Sequence, residues 1–223
     1  MTGVLQAAPR AVENFAQFRH PATILIAGKT QSGKSTLVRK IVRSAAVLFH
    51  PPPQRILWVS SVLPSWRNES VGVQFLTEIP DPDSLDPATR RLIIFDDWQG
   101  SGNEINSLIA KFFTRYAHHT NSSVIHITQT IFSNVDKYHR IVSLNSSYLI
   151  VFRNLRDRNQ IKVLGEQLFP GNGRFLDKVI ADVTKINPYG YVVLDLHPET
   201  SPLLRVRTSI LPEDRFSVAY SPP

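Results

Sequence analysis

The sequence predicts an α/β fold with a largely parallel central sheet flanked by helices on both faces. Two observations carry that expectation. Short apolar runs of strand length alternate with helical segments along the chain, and the first such run opens into a glycine-rich turn followed at once by a helix. A strand–turn–helix of this kind aims backbone N–H groups at an anion, because the first turn of a helix has donors without intrahelical partners.

That opening unit is Thr23-Ile24-Leu25-Ile26-Ala27-Gly28-Lys29-Thr30-Gln31-Ser32-Gly33-Lys34-Ser35-Thr36. Gly28, Gly33, Lys34 and Ser35 fill the pattern G-x-x-x-x-G-K-[ST] of a phosphate loop. Gly28, Lys29, Thr30, Gln31, Ser32, Gly33, Lys34, Ser35 and Thr36 are therefore the expected nucleotide contacts. Lys34 suits the β- and γ-phosphates as a mobile cation, and the Ser35 hydroxyl suits Mg²⁺.

Before the loop, residues 1–20 are a lead-in, in which Val12, Phe15, Ala16 and Phe18 have the spacing of a short helix. After it, the helix is expected to end near Phe49, since His50-Pro51-Pro52-Pro53 cannot continue it. Arg55–Ser60 reads as a strand, and the Pro-, Ser- and Asp-rich residues that follow read as loops around one short helix, interrupted by the apolar patch Val71–Leu76. Leu92-Ile93-Ile94-Phe95 is apolar enough for a strand buried on both faces, with Asp96 and Asp97 where it emerges. Asn103 is the expected cap of a helix whose stripe is Ile105, Leu108, Ile109, Phe112, Phe113 and Tyr116. Further strands are expected at Ser123–Gln129, Ser147–Phe152 and Pro188–Leu196. Leu204–Thr208 is expected as a last edge strand, followed by a tail.

With 223 residues, 42% hydrophobic and 19% charged, the chain fits one globular domain with a full core. The expected division is a lead-in at 1–20, a nucleotide-hydrolysing domain at 21–197, and an edge strand and tail at 198–223. The absence of cysteine excludes disulfides and thiolate metal sites. No signal-peptide pattern and no membrane-length apolar run is present, so a soluble intracellular protein is expected. A net charge of +7 adds nucleic acid to the plausible partners.

Ligands of open α/β sheets sit at the carboxyl ends of strands, where Gly28, Asp96 and Gln129 are expected to converge. Asp96 is the expected metal-side carboxylate. Asp97 is placed to accept a hydrogen bond from an attacking water, the alternative being a helix-capping or loop aspartate. Gln129 can both donate and accept, which suits γ-phosphate sensing or water orientation. His118-His119 lack further ligands at zinc-site spacing and are assigned to a helix terminus. Arg153, Arg156, Arg158 and Lys162 fit a nucleic-acid backbone or a solvated helix face equally well.

With these residues in hand, the chain resembles the genome-packaging ATPases of the FtsK/HerA superfamily, those of the polinton, adintovirus and virophage group above all, with poxvirus-type packaging ATPases as relatives. The resemblance spans about Pro21 to Ile210. It rests on Gly28 to Ser35, on Leu92 to Asp97, and on Phe113-Thr114-Arg115-Tyr116-Ala117-His118-His119 running into Val124 to Gln129. Ser143 to Ser146, Tyr189-Gly190-Tyr191 and Arg205 to Thr208 add to it. It implies a P-loop NTPase fold of the additional-strand, RecA-like type and a Mg²⁺-dependent ATPase. It also implies a homo-oligomeric ring, a hexamer, that drives double-stranded DNA into a viral capsid at a portal vertex, within the virion or the host nucleus or cytoplasm during assembly. An arginine supplied by the neighbouring subunit is part of the implied site; Arg115 is the first candidate, with Arg140 and Arg158 behind it. Gln31 departs from the small residue or glycine of many relatives. Two other functions remain open. A GTP-dependent switch is suggested by Asp97-Trp98-Gln99-Gly100 but lacks an N-K-x-D element, and a nucleoside or nucleotide kinase would share the phosphate loop.

Overall fold

Strands sandwiched between two helical layers set the architecture of the computed structural model, which describes residues 8–12, 17–96, 98, 102–133, 136–214 and 217–222. In chain order the strands are β1 (Ala8–Val12), β2 (Phe18–Arg19), β3 (Thr23–Ala27), β4 (Phe49–His50), β5 (Arg55–Ser60), β6 (Val73–Leu76), β7 (Arg91–Asp96), β8 (Ser122–Thr128), β9 (Tyr148–Phe152), β10 (Tyr191–Asp195), β11 (Val206–Thr208) and β12 (Ser217–Ser221). The helices are α1 (Lys34–Arg43), α2 (Ala45–Leu48), α3 (Asn103–Lys111), α4 (Ala117–His119), α5 (Lys137–Leu144), α6 (Arg158–Leu168) and α7 (Arg174–Ile186). A π-helical turn, Phe112–Tyr116, makes α3 and α4 one continuous rod.

The main sheet has ten strands in the order β1-β12-β11-β10-β9-β3-β8-β7-β5-β6. From β9 to β6 every pairing is parallel, and from β9 to β1 every pairing is antiparallel. Residue parity divides the core. Leu25, Leu57, Val59, Ile93, Phe95, Val124, Leu149 and Val151 point to the face covered by α3, α5, α6 and α7, while Ile24, Ile26, Trp58, Leu92, Ile94, Ile125 and Ile150 point to the face covered by α1 and α2. A strand buried on both faces needs apolar residues at consecutive positions, which is why the central strands read as continuous runs.

Several local expectations change. The first helix breaks at Ser44 and ends at Leu48 before the prolines. Gly102, at φ 99°, takes the cap position of α3, and Asn103 becomes the first helical residue. Part of the apolar patch after β5 forms the edge strand β6, and Phe75 beside it packs edge-on against Trp66 at 5.5 Å. In the lead-in, Val12 lies in β1 and Phe18 in β2; Phe15 and Ala16 lie outside the described residues. β11 is an interior strand, because the expected tail supplies β12, and β1 pairs with β12 in turn.

Where the sheet turns antiparallel, an ion pair is buried. Arg207 Nη2 donates to Asp195 Oδ2 at 3.0 Å, with the side chains 2% and 5% exposed. Asp195 Oδ1 also accepts from the Thr200 hydroxyl at 2.9 Å and from the His197 N–H at 3.1 Å. Removing one member strands a buried charge, so Arg207→Met is expected to cost ~3 kcal/mol. The paired apolar replacement Asp195→Leu with Arg207→Met is expected to cost less than the single change, as read by urea unfolding.

Candidate active site

The phosphate loop follows β3, whose neighbours are β9 on one side and β8 on the other. Gly28 N–H donates to the Thr128 carbonyl at 3.3 Å, carrying the β3–β8 ladder one step into the loop. A Cβ at Gly28 would stand 2.7 Å from both Phe152 Cβ and Ser32 Oγ, so the backbone there tolerates only glycine. Gly33 sits at φ 99° and caps α1, a conformation that glycine adopts without steric cost. Gln31 also lies in the left-handed region, at φ 63°, with an exposed side chain, so a glycine there would relax the backbone. Lys29, Thr30, Ser35 and Thr36 are exposed around the turn, and Ser32 is buried with no hydrogen-bond partner for its hydroxyl.

The first intrahelical bond of α1 runs from Leu37 N–H to the Gly33 carbonyl at 2.9 Å, and no side chain caps this end. The backbone donors of Lys34, Ser35 and Thr36 therefore face the loop opening, where a polyphosphate would accept from them. Lys34 Nζ donates to the carbonyls of Gly28 at 2.6 Å and Lys29 at 2.8 Å. Burial lowers its pKa, and the Asp96 carboxylate pulls the other way. Asp96 ends β7, which lies two strands from β3 with β8 between them.

Strands β3, β8 and β7 are consecutive in the sheet, so Gly28, Gln129 and Asp96 emerge side by side. Gln129 is exposed and shares a narrow cleft with Gly28, Asn154, Asp157 and Gln160. Asp97 lies outside the described residues, as do Gln99 and Gly100. Trp98, between them, is buried and donates from Nε1 to the Val59 carbonyl at 3.1 Å.

The donor set fits a nucleotide. The glycine cradle, the unpartnered Ser32 hydroxyl and the open helix end suit phosphate oxygens. For Mg²⁺, Ser35 and Asp96 supply one hydroxyl and one carboxylate. Among the described residues no group of three histidines or carboxylates is placed to hold a metal by itself.

Arg115 is not brought to this site within one chain. It is exposed, its guanidinium 5.9 Å from the Tyr116 ring centroid, well along the α3–α4 rod toward the amino end of β8. The rod leads from the carboxyl end of β7 to the amino end of β8, so Arg115 lies toward the end of the sheet opposite its own loop. Arg140 is exposed on α5, and Arg158 is exposed and paired with Asp177 at 2.7 Å.

Sequence reasoning gave no role to the cavity beside the loop. Its volume is about 710 Å³, and Gln31, Thr36 and Lys40 form one wall. Tyr189, Tyr191, Asn187 and Tyr220 line the rest, so β12 contributes to a site some 190 positions before it in the chain. Tyr189 lies 3.5 Å from where a Gly33 side chain would begin. The Tyr189-Gly190-Tyr191 triplet was the available signal: a Cβ at Gly190 would meet Val183 at 2.6 Å, so the glycine lets both tyrosines approach the loop.

The FtsK/SpoIIIE family model matches residues 7–56, the segment that holds β3, the loop and α1. Among solved structures, the cytoplasmic domain of the Thermomonospora curvata type VII secretion ATPase EccC is 12% identical with a TM-score of 0.52, covering 91% of this chain and 25% of that one. This chain shares the P-loop ATPase fold of that domain. The genome packaging NTPase B204 of Sulfolobus turreted icosahedral virus 2, in complex with AMP, is 13% identical with a TM-score of 0.46, covering 84% of this chain and 96% of that one. A KaiC-like protein of Pyrococcus horikoshii OT3 is 12% identical with a TM-score of 0.47, covering 96% and 100%. No curated protein matches the chain.

Gly28→Ala is expected to destabilise the fold by ~2 kcal/mol through overpacking against Phe152 and to abolish binding of a fluorescent ATP analogue. A second expectation concerns His126, fully buried under α3 with no partner for Nδ1. Burial lowers its pKa from 6.5 to about 3, helped by His139, while the Phe95 carbonyl and Asp136 act in the opposite direction. The folded chain holds this imidazole neutral, whereas the unfolded chain protonates it below about pH 6.5. Its contribution is complete above that pH and is lost as the pH falls toward 3. His20 and His139, both lowered by burial, act with the same sign. Urea unfolding between pH 7.5 and 4.5 is expected to show falling stability, with His126→Gln flattening the slope by up to ~1.4 kcal/mol per pH unit.

Proposed function

We propose that the chain is an ATP-hydrolysing motor that translocates double-stranded DNA, and within that class a viral genome-packaging ATPase. The observation that carries the hydrolase part is the run of adjacent strand ends bearing Gly28, Gln129 and Asp96. A phosphate binder needs the loop alone; a hydrolase also needs carboxylates and an amide around the γ-phosphate.

In this mechanism the backbone donors of residues 28–36 hold the triphosphate, and Lys34 leaves the loop carbonyls for the β- and γ-phosphates. Ser35 and Asp96 would hold Mg²⁺, which would supply neutralisation of the charge on those phosphates. Asp97 orients and deprotonates the attacking water, and Gln129 reports on the γ-phosphate through the end of β8. The nucleoside occupies the neighbouring cavity, with Tyr189 as its stacking face. Residues 21–197 make up the ATPase domain, and β1 from the 1–20 lead-in with β11 and β12 from 198–223 extend its sheet beyond β10. Among the described residues no helix is long and apolar enough to cross a membrane. The packaging role is supported by the resemblance over Phe113 to His119 and Val124 to Gln129 and by the family match at the loop. It implies a homo-oligomeric ring, a hexamer, meeting capsid or portal-vertex proteins.

ATP turnover is expected to rise with duplex DNA, to require Mg²⁺, and to run in an assembly several times the mass of the chain. Asp96→Asn is expected to lower kcat by ~100-fold or more. DNA-independent turnover by a stable monomer would sink the motor. The arginine acting in trans is found by mixing: Lys34→Ala rings combined with Arg115→Ala, Arg140→Ala or Arg158→Ala rings regain turnover where an intact pair of half-sites forms.

A further inference from the structure

The turn that carries Gln129 is held from outside its own strand. The Thr130 carbonyl accepts from the Thr128 hydroxyl at 2.7 Å and lies 3.0 Å from His139 Nε2; because a carbonyl only accepts, that nitrogen bears the proton. Beyond it, the backbone N–H groups of Ile131 and Phe132 both donate to Gln160 Oε1, at 2.7 and 3.2 Å. Gln160 Nε2 donates to Asp157 Oδ2 at 2.5 Å. The orientation of this amide is fixed by chemistry, since backbone N–H groups only donate and a carboxylate only accepts.

Gln160 stands in the first turn of α6, half-buried, and Asp157 is the residue capping that helix. Both line the narrow cleft that Gly28 and Gln129 also line. The side chain therefore ties three segments together at the mouth of the site: the end of β8, the start of α6 and, through Asp157, the exit from β9.

We propose that Gln160 is a positioning residue for ATP hydrolysis: its amide fixes the turn after β8, and so the place of Gln129 against the phosphate loop. The proposal rests on the ATPase reading above. Ground-state phosphate binding belongs to residues 28–36, whereas Gln160 bonds to Ile131, Phe132 and Asp157, so its loss acts on turnover more than on affinity. The polarity of the contact also makes a specific demand. A glutamate at this position still accepts from Ile131 and Phe132 but turns a carboxylate toward Asp157. Changing Asp157 to asparagine restores a donor at that point and keeps a residue type suited to cap α6.

The test compares wild type, Gln160→Met, Gln160→Glu and the Asp157→Asn/Gln160→Glu double variant. The readouts are steady-state ATP turnover, the Kd of a fluorescent ATP analogue, and near-UV circular dichroism as the check of folding. Gln160→Met and Gln160→Glu are expected to lose ~10-fold or more in kcat with Kd changed by less than about twofold, and the double variant to return within about threefold of wild type. A merely structural role would lower stability without a selective loss of kcat, and the exchange of charge would not rescue it. Unchanged kcat in folded Gln160→Met, alongside active wild type, overturns this inference alone. Should Gln160→Met not fold, a double variant no more active than Gln160→Glu overturns it equally. Wild type that binds the analogue without turning over ATP overturns both this inference and the ATPase reading.

Discussion

The two-sided burial of β3 is the constraint on which the rest of the molecule depends. Ile24 and Ile26 face α1, Leu25 and Ala27 face the opposite helical layer, and parallel partners occupy both edges. A strand so enclosed cannot slip by one residue without turning its core set into the wrong layer. Its carboxyl end is therefore a fixed point, and the close passage of Gly28 beside Phe152 transmits that fixity to the loop. The phosphate cradle is rigid because the sheet beneath it is.

The same order explains why the neighbouring strands carry the remaining chemistry. β8 lies beside β3 and β7 beyond it, with Ala27 level with Thr128 and Phe95 level with His126. Register places one functional group per strand end along a short line. Each is supported from behind: Trp98 anchors the chain just past Asp96 and Asp97 by its bond to Val59, and His139 and Gln160 hold the turn after β8. An amide or carboxylate that must act at ångström precision needs such support, since exposed side chains at strand ends are otherwise free to rotate.

The antiparallel extension serves a different end. β10, β11, β12 and β1 widen the sheet on the side of the cavity beside the loop, and the buried Arg207–Asp195 pair marks the seam. Through Tyr220 this extension reaches the cavity that Gln31 and Thr36 also line, so segments far apart in sequence meet beside the loop.

The sequence by itself determined the central strands and the phosphate loop. Ile24 to Ala27, Leu92 to Phe95 and Val124 to Ile127 have no plausible place except a doubly covered sheet, and Gly28, Gly33 and Lys34 have a spacing that only backbone geometry explains. It placed Asp96 and Gln129 correctly at strand ends because burial pattern alone shows where a strand emerges. It missed β12 and read β11 as an edge, since short strands with little periodicity are stabilised by partners and not by their own residues. It offered Arg115 as an arginine acting on a neighbouring subunit's nucleotide, and the direction of the α3–α4 rod carries this residue toward the end of the sheet away from its own loop. Only the tertiary structure decided that Tyr189 and Tyr220 share one cavity and that Gln160 grips the turn of Gln129, because those contacts join segments that no local pattern links.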